Sequence, residues 1–484
     1  MNILLVNVPS RKGEGGYMTP LGLLYVGSIV ERCGHNAKII DLYSGDVNLN
    51  SFNCCCLDKI IEDFKPSIIG YGGIATSYGR TKQLSIHIKN KYTDIIQIAG
   101  GPLASVYKLL LQKAKIDVVF HGETEINLPI FLKKLEKSES FNDLLGISYV
   151  VNGIIIRNSP VEQIKNLDTI PFPAYHLINM YDHLLLDKKS GKKYIYIISS
   201  RGCTHKCIFC YRHIKGIRQH SVDYVVNHIK YLKETYNITY FMFSDELFNI
   251  SHQWIFDFCN KLEKNNLNII YIVGGARVNN IDKDMLQRLK KTGCIGIQYG
   301  QESGSDVILK EIKKGVTALQ NKEITNLTRE MGINSVVQLC IGSPSETTET
   351  IYETIKFLKD TDSYCYYSLN YLIPLPETPI WKYVEENNLI GDVEIYLDRI
   401  AEVGGYASVI NLTKQPDFIW RSWDLYIKFE MKSYHYKKTN QKKKYLINRI
   451  IIIFIPLISI TSYLMPKKSI IRETIKNLLL EEKK

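Results

Sequence analysis

Over roughly the first 140 residues, short apolar runs alternate with stretches whose apolar residues recur at helical spacing. Ile3-Leu4-Leu5-Val6-Asn7-Val8, closed by Pro9, reads as a buried strand. Leu21 to Arg32 carries a helical stripe that stops at Gly34, a C-cap residue. Further strands are predicted at Ala37–Asp41, Ser67–Tyr71, Ile95–Ala99 and Asp117–Phe120, with helices at Ile60–Phe64 and Thr81–Asn90. This alternation predicts a parallel, doubly wound sheet. Glycines gather where its strands end: Gly70, Gly72, Gly73, Gly100, Gly101, and Gly122 ahead of Glu123. Ligands of such sheets bind at those carboxyl ends. Tight turns explain the glycines as well as close backbone approach to a large flat ligand does. No G-x-G-x-x-G follows the first strand, which argues against a dinucleotide site.

A connector and a second alternation follow. Gly146 to Ile156 predicts a hairpin about Asn152-Gly153, and Leu167 to Pro173 an extended link, because Pro171 and Pro173 fit neither helix nor central strand. Strands are then predicted at Tyr194–Ile198, Thr239–Phe243, Asn268–Val273, Cys294–Tyr299, Ser335–Ile341 and Tyr367–Tyr371, with helices such as Tyr224–Tyr236 and Met285–Lys291 between them. Six such units make a partial barrel, open on one side. The fold class is therefore α/β: a doubly wound parallel sheet, a partial (β/α)6 barrel and a helical C-terminal tail. The expected boundaries are 1–140 for the first domain, 141–190 for the linker, 191–385 for the barrel, 386–440 for a helical region and 441–484 for a basic, apolar tail.

Composition narrows the reading. At 484 residues, 45% apolar and 23% charged, the chain is globular rather than collagen-like, disordered or heptad-repeat. The formal charge of +12 sits mainly in the tail, where Lys432 to Lys484 holds thirteen Lys and Arg against three Glu. The body is close to neutral. Eleven cysteines and an N-terminus without secretory-signal character point to free thiols in a reducing cytosol. Cys33, Cys259, Cys294, Cys340 and Cys365 stand singly among apolar residues and read as core thiols. Cys54-Cys55-Cys56 lacks the spacing to chelate one metal.

Cys203, Cys207 and Cys210 differ. They fall at C-x3-C-x2-C on the loop after a predicted strand, the active face of a β/α barrel. Three thiolates on one loop can hold three irons of a [4Fe–4S] cluster and leave the fourth open. Zinc would want a fourth ligand, for which His205 and His213 stand near. With Arg201-Gly202 upstream and Phe209 inside the motif, this segment resembles the radical S-adenosylmethionine (SAM) superfamily. Pro20-Leu21-Gly22-Leu23, Gly34-His35, Gly100-Gly101-Pro102 and Gly122-Glu123-Thr124-Glu125 are similar, as an ordered set, to the cobalamin-binding Rossmann-like domain that precedes some radical SAM barrels.

The resemblance implies a [4Fe–4S] cluster on the three cysteines, SAM on the open iron, and reductive cleavage to a 5′-deoxyadenosyl radical. It implies SAM contacts from Phe209, Asp245, Glu246, Glu302, Ser303 and Gly342, and cobalamin contacts from Gly72, Gly73, Gly100, Gly101, Gly122 and Glu123. No D-x-H-x-x-G motif is present, so the cobalamin would be base-off without a protein His. Glu377 stands where the family often has Gly in P-x-P-G-T. The expected reaction is methyl transfer to an unactivated carbon. Radical cyclisation or rearrangement is the runner-up, and a non-catalytic iron–sulfur and corrinoid sensor the alternative from another class. A methylthiotransferase is disfavoured because the N-terminal cysteines lack the spacing for a second cluster. The expected partners are a small-molecule or lipid-like substrate and an external electron donor such as flavodoxin or ferredoxin; nucleic acid is not expected.

In the tail, Ile450 to Met465 is a 16-residue uncharged run containing Pro456, about 24 Å long as a helix and short of a ~30 Å hydrocarbon core. Basic residues flank it on both sides, and Ile470 to Leu480 has helical apolar spacing. A spanning helix is disfavoured. An anchor lying on anionic lipid at the cytoplasmic face and a terminal helix packed on the barrel fit equally well.

Overall fold

The computed structural model describes all residues except 11–18, 43–53, 188–189, 213, 404–408 and 465–484; for 54–56, 403 and 456–464 only the backbone is described. His213 and the segment Ile470 to Leu480 thus lie outside the described residues.

The first sheet holds β1 (Asn2–Asn7), β2 (Asn36–Asp41), β3 (Ile68–Gly72), β4 (Ile96–Ala99), β5 (Val118–Phe120), β6 (Ile147–Val151) and β7 (Ile154–Arg157), in the order β2-β1-β3-β4-β5-β6-β7. The first five are parallel. Helices α1 (Leu21–Arg32), α2 (Cys54–Phe64), α3 (Tyr78–Lys91), α4 (Tyr107–Lys113) and α5 (Thr124–Glu136) cover it. Successive strand residues point to opposite faces, and both faces are buried. Leu4, Val6, Ile69 and Val119 fill one core, while Ile3, Leu5, Ile68 and Val118 fill the other.

Two expectations need correcting here. The hairpin about Asn152-Gly153 is no part of a linker: β6 pairs antiparallel with β5 and extends the sheet. Helix α2 begins at Cys54, six residues before the expected start, so the three adjacent cysteines lie in its first turn. Helices α4 and α5 are additional to the expected elements, and Pro129 lies inside the second.

The second sheet runs β16-β15-β14-β13-β12-β9-β8. Its parallel strands are β9 (Lys193–Ile197), β12 (Tyr240–Phe243), β13 (Ile270–Ala276), β14 (Cys294–Glu302), β15 (Asn334–Ile341) and β16 (Tyr367–Tyr371), the six expected; β8 (Leu185–Leu186) adds an antiparallel edge. A separate ribbon joins β10 (Ser200–Gly202) to β11 (Ile217–Gln219). Helices α6 (Val222–Tyr236), α7 (His252–Lys264), α8 (Lys283–Lys291), α9 (Asp306–Glu311), α10 (Ala318–Glu330) and α11 (Thr348–Asp360) pack outside. Ser221, Ser251, Asp282, Thr317 and Thr347 cap five of them, each side chain accepting a first-turn N–H.

The C-terminal helices are α12 (Pro379–Glu386), α13 (Val393–Val403), α14 (Asp417–Trp420), α15 (Trp423–Lys438) and α16 (Lys442–Leu464). They tie the domains together. On α13, Leu397 enters the first domain's core, and Glu394 accepts from the Tyr78 hydroxyl (2.5 Å) and Lys82 Nζ (2.6 Å). Trp420, Trp423, Ile427 and Met431 pack on Val337, Leu339 and Ile341 of β15. Helix α16 packs on α15 through Ile452, Ile455 and Phe429. Among the described residues, no helix is long and apolar enough to cross a membrane.

Candidate active site between the two sheets

The carboxyl ends of the two sheets meet at a cavity of about 460 Å³. Its first-domain wall is backbone: Gly70, Gly72, Gly73, Gly100, Gly101 and Gly122 all line it, with Leu23, Tyr25 and Leu128. Its barrel wall is Ser200, Arg201, Gly202, Ile214, Ser244 and Glu246. Every expected cobalamin residue therefore reaches one space. The glycines take side-chain bulk away at the strand ends and the rest of the wall is mostly apolar, which suits a broad flat ring.

Glu123 lines this cavity but is committed elsewhere. Its carboxylate takes Arg201 Nη1 at 3.2 Å, Arg218 Nη1 at 2.6 Å and the Ile164 N–H at 2.9 Å. Glu125 takes Arg201 Nη2 at 2.7 Å, and the Arg201 guanidinium stacks over Tyr25 at 5.1 Å. Burial alone would raise the Glu123 carboxyl; Arg218, the Ile164 N–H and Arg201 hold it below the usual carboxylate value. The expected cofactor contact is thus an ion-pair seam between the domains.

The cysteines sit on the loop that the β10–β11 ribbon closes at its base. Gly202 starts that loop at φ 87°, and a Cβ there would stand 2.4 Å from the Gly216 carbonyl oxygen, so only glycine lets the loop close. Cys203 is half-buried, Cys207 buried and Cys210 exposed. Burial raises the Cys203 thiol; the Cys210 residue reaches the surface, but the protein around its thiol and repulsion from Cys207 push it up to about 12. Two cations face these thiols. Arg277 Nη1 lies 3.9 Å from Cys207 Sγ, and Arg277 Nη2 donates to the Lys314 carbonyl. Lys314 Nζ meets Glu302 Oε1 at 2.9 Å. Among the described residues, no three His, Cys, Asp or Glu side chains converge as a single metal ion needs. Three thiolates each on a different iron of an anionic cluster, opposite Arg277 and Lys314, is the arrangement that fits.

The expected SAM residues divide. Glu246 is exposed at the carboxyl end of β12, lines the cavity and accepts the Gly202 N–H. Glu302 closes β14 at φ 66°. Phe209 is half-buried between two apolar clusters, one around Ile308 and Ile312 and one around Leu372 and Ile380. The other three do not face open space. Asp245 is buried; its Oδ1 accepts from the backbone N–H and hydroxyl of both Ser199 and Ser200, clamping the strand that leads into the cysteine loop. Burial pushes its carboxyl up to about 6 against those hydrogen bonds. Ser303 is buried, sharing a 3.1 Å hydrogen bond with Thr354 and accepting the Ser305 N–H. Gly342 is packed beneath Trp420 and Tyr371 and donates to Glu346. Neighbouring residues in sequence alternate in direction, so a motif's members cannot all reach one ligand.

Arg277, Lys314, Arg218 and Glu346 were missed. Glu346 is 1% exposed, and burial pushes it up to about 8 against the Gly342 and Ser343 N–H groups. It ends Gly342-Ser343-Pro344-Ser345-Glu346, a G-x-P-x-E run just after a predicted strand, which is the signal that could have found it. For Arg277 the only signal was its place after Gly274-Gly275-Ala276 at the end of β13. Glu377 sits at φ 64°, the left-handed region that glycine prefers. It holds Arg157 of β7 at 2.9 Å, and that guanidinium lies over Tyr107 at 4.8 Å. Glu377 therefore stitches the barrel rim to the first sheet.

Comparison with known proteins agrees with this geometry. The B12 binding domain family matches residues 14–132, and the radical SAM superfamily matches residues 197–358. An uncharacterized methyltransferase of Pyrococcus horikoshii is 30% identical over 81% of this chain and 84% of its own length. The anaerobic magnesium-protoporphyrin IX monomethyl ester cyclase of a Synechocystis species is 24% identical over 78% of this chain and 75% of its own. The structure of the cobalamin-dependent SAM radical enzyme OxsB with aqua-cobalamin superposes with a TM-score of 0.71 at 17% identity, covering 99% of this chain and 75% of that one; the likeness is one of fold. With the B12 binding domain matched before the barrel and a close relative along most of both lengths, the chain belongs to the cobalamin-binding radical SAM enzymes.

Proposed function

We propose that this enzyme methylates an unactivated carbon of a small apolar molecule. One observation carries the reading: the loop bearing Cys203, Cys207 and Cys210 is also a wall of the glycine-lined cavity, through Arg201, Gly202 and Ile214. The relative with the larger identity is named a methyltransferase, the one named a cyclase being more distant. Cys203, Cys207 and Cys210 would hold the cluster, and the glycines at the ends of β3, β4 and β5 would flank cobalamin. When bound, the cluster supplies the electron that cleaves SAM, and cobalamin carries the methyl group.

The chain's own residues do the rest. Arg277 and Lys314 balance the negative charge of the thiolates. Glu246, open to the cavity, offers a carboxylate to the SAM ammonium. The Asp245 clamp on Ser199 and Ser200 fixes where the cysteine loop begins. The Glu123–Arg201–Arg218 seam holds the two walls at a set distance. Cys210 is exposed beside Arg212, Lys215 and Lys382, with Glu377 and Glu385 on the same rim, and the three cations give an acidic one-electron carrier of the flavodoxin or ferredoxin kind an approach.

The test is anaerobic reconstitution, then incubation with SAM, cobalamin, reductant and a cell lipid extract. The expected products are 5′-deoxyadenosine and a compound heavier by one methyl group. No SAM cleavage refutes the enzyme reading; cleavage with a dehydrogenated or ring-closed product and no methyl gain moves the assignment to the cyclase.

A further inference from the structure

Helix α16 begins with Lys442-Lys443-Lys444 and contains no acidic residue. One face is fixed to the body. Asn448 Nδ2 donates to the Phe429 carbonyl and to Ser433 Oγ, both at 2.6 Å, and Arg449 pairs with Glu430. Ile452 and Ile455 are buried with Phe429. The opposite face is bare: Leu446, Ile447, Ile450, Ile453 and Phe454 are each half or more exposed, Ile453 at 73%. At about 100° per residue these five fall within an arc of roughly 120°, and Lys442 and Lys443 continue the same arc by one turn. Isolated exposed apolar residues need no explanation, but a contiguous stripe does.

We propose that this face lays α16 flat on an anionic lipid surface. The opposite face is pinned to α15, so the helix cannot enter a bilayer end-on without unpacking, and an in-plane position is what remains. Burial of the stripe in the acyl boundary and attraction of the lysines to anionic headgroups act together on one side. The docking does not depend on the methyltransferase reading.

The experiment is flotation of the full chain with vesicles of phosphatidylcholine alone and with phosphatidylglycerol added. Binding to the anionic vesicles alone is expected, weakened tenfold or more by raised salt. A double variant, Ile450→Glu with Ile453→Glu, is expected to lose binding by at least tenfold with its unfolding midpoint unchanged. A chain ending at Leu464 is expected to keep it. The proposal is overturned if anionic vesicles do not bind, if the double variant still binds, if the shortened chain loses binding to the missing residues 465–484, or if sedimentation shows a second copy seated on the stripe. Vesicle binding needs no reaction, so its failure and the failure of methylation are read separately.

Discussion

The two sheets turn the same kind of edge toward one space and equip it in opposite ways. The first sheet ends its strands in glycines and presents backbone. The second ends its strands in side chains: carboxylates at Glu246 and Glu302, a guanidinium at Arg277, and a loop of three thiols. A broad ring is accommodated by taking bulk away; an anionic cluster needs donors and opposite charge set around it. The two halves thus have separable failure modes, and the ion-pair seam at Glu123 belongs to both.

That division can be broken at its largest point first. Replacing any one of Cys203, Cys207 and Cys210 with Ala should abolish SAM cleavage and the visible absorbance of the cluster while corrinoid content stays; loss of both cofactors together would show that the halves are not independent. Glu123→Gln should cost about 3 kcal/mol in denaturant unfolding, because Arg218 loses its carboxylate in a largely buried seam and Arg201 keeps only Glu125. A loss below about 1 kcal/mol would mean that other contacts hold the seam. Gly100→Leu fills the cavity from a backbone at φ −160° that any residue adopts, with nothing closer than 3.6 Å to its Cβ. Corrinoid uptake should drop tenfold or more, about 1.4 kcal/mol, with iron per chain unchanged.

Two smaller effects sharpen the barrel side. Burial keeps Glu346 protonated up to about pH 8, so between its ordinary carboxylate range and that value the folded chain holds a proton the unfolded chain has lost. Stability should therefore fall as pH rises through that window, and Glu346→Gln should flatten the profile. Glu377→Gly removes about 1–2 kcal/mol of left-handed backbone strain and gives up a half-exposed ion pair with Arg157 worth about 0.2–1 kcal/mol. The melting temperature should not fall; a clear drop would make the stitch to Arg157 stronger than its exposure implies.

Much of this was legible in the chain. Strand–helix alternation placed five parallel strands, then six, and C-x3-C-x2-C on the loop after a strand located the thiols. What the motifs could not tell was direction. Asp245 and Glu246 are adjacent, yet one is sealed against Ser199 and Ser200 and the other opens on the cavity. Ser303 follows Glu302 and turns inward to Thr354. The tail's two readings, packed helix and lipid-facing helix, were offered as rivals, and helix α16 packs by one face while leaving the other bare.

By itself the sequence determined most of the elements, their order and the place of the C-x3-C-x2-C loop, because hydrophobic period and cysteine spacing are local properties. Only the tertiary structure decided that Arg277 would face Cys207 across 70 positions, that Glu123 would be spent on Arg201 and Arg218, and that Glu394 would reach back to Tyr78. Those pairings depend on how two sheets and a returning helix pack, and no window along the chain contains both partners.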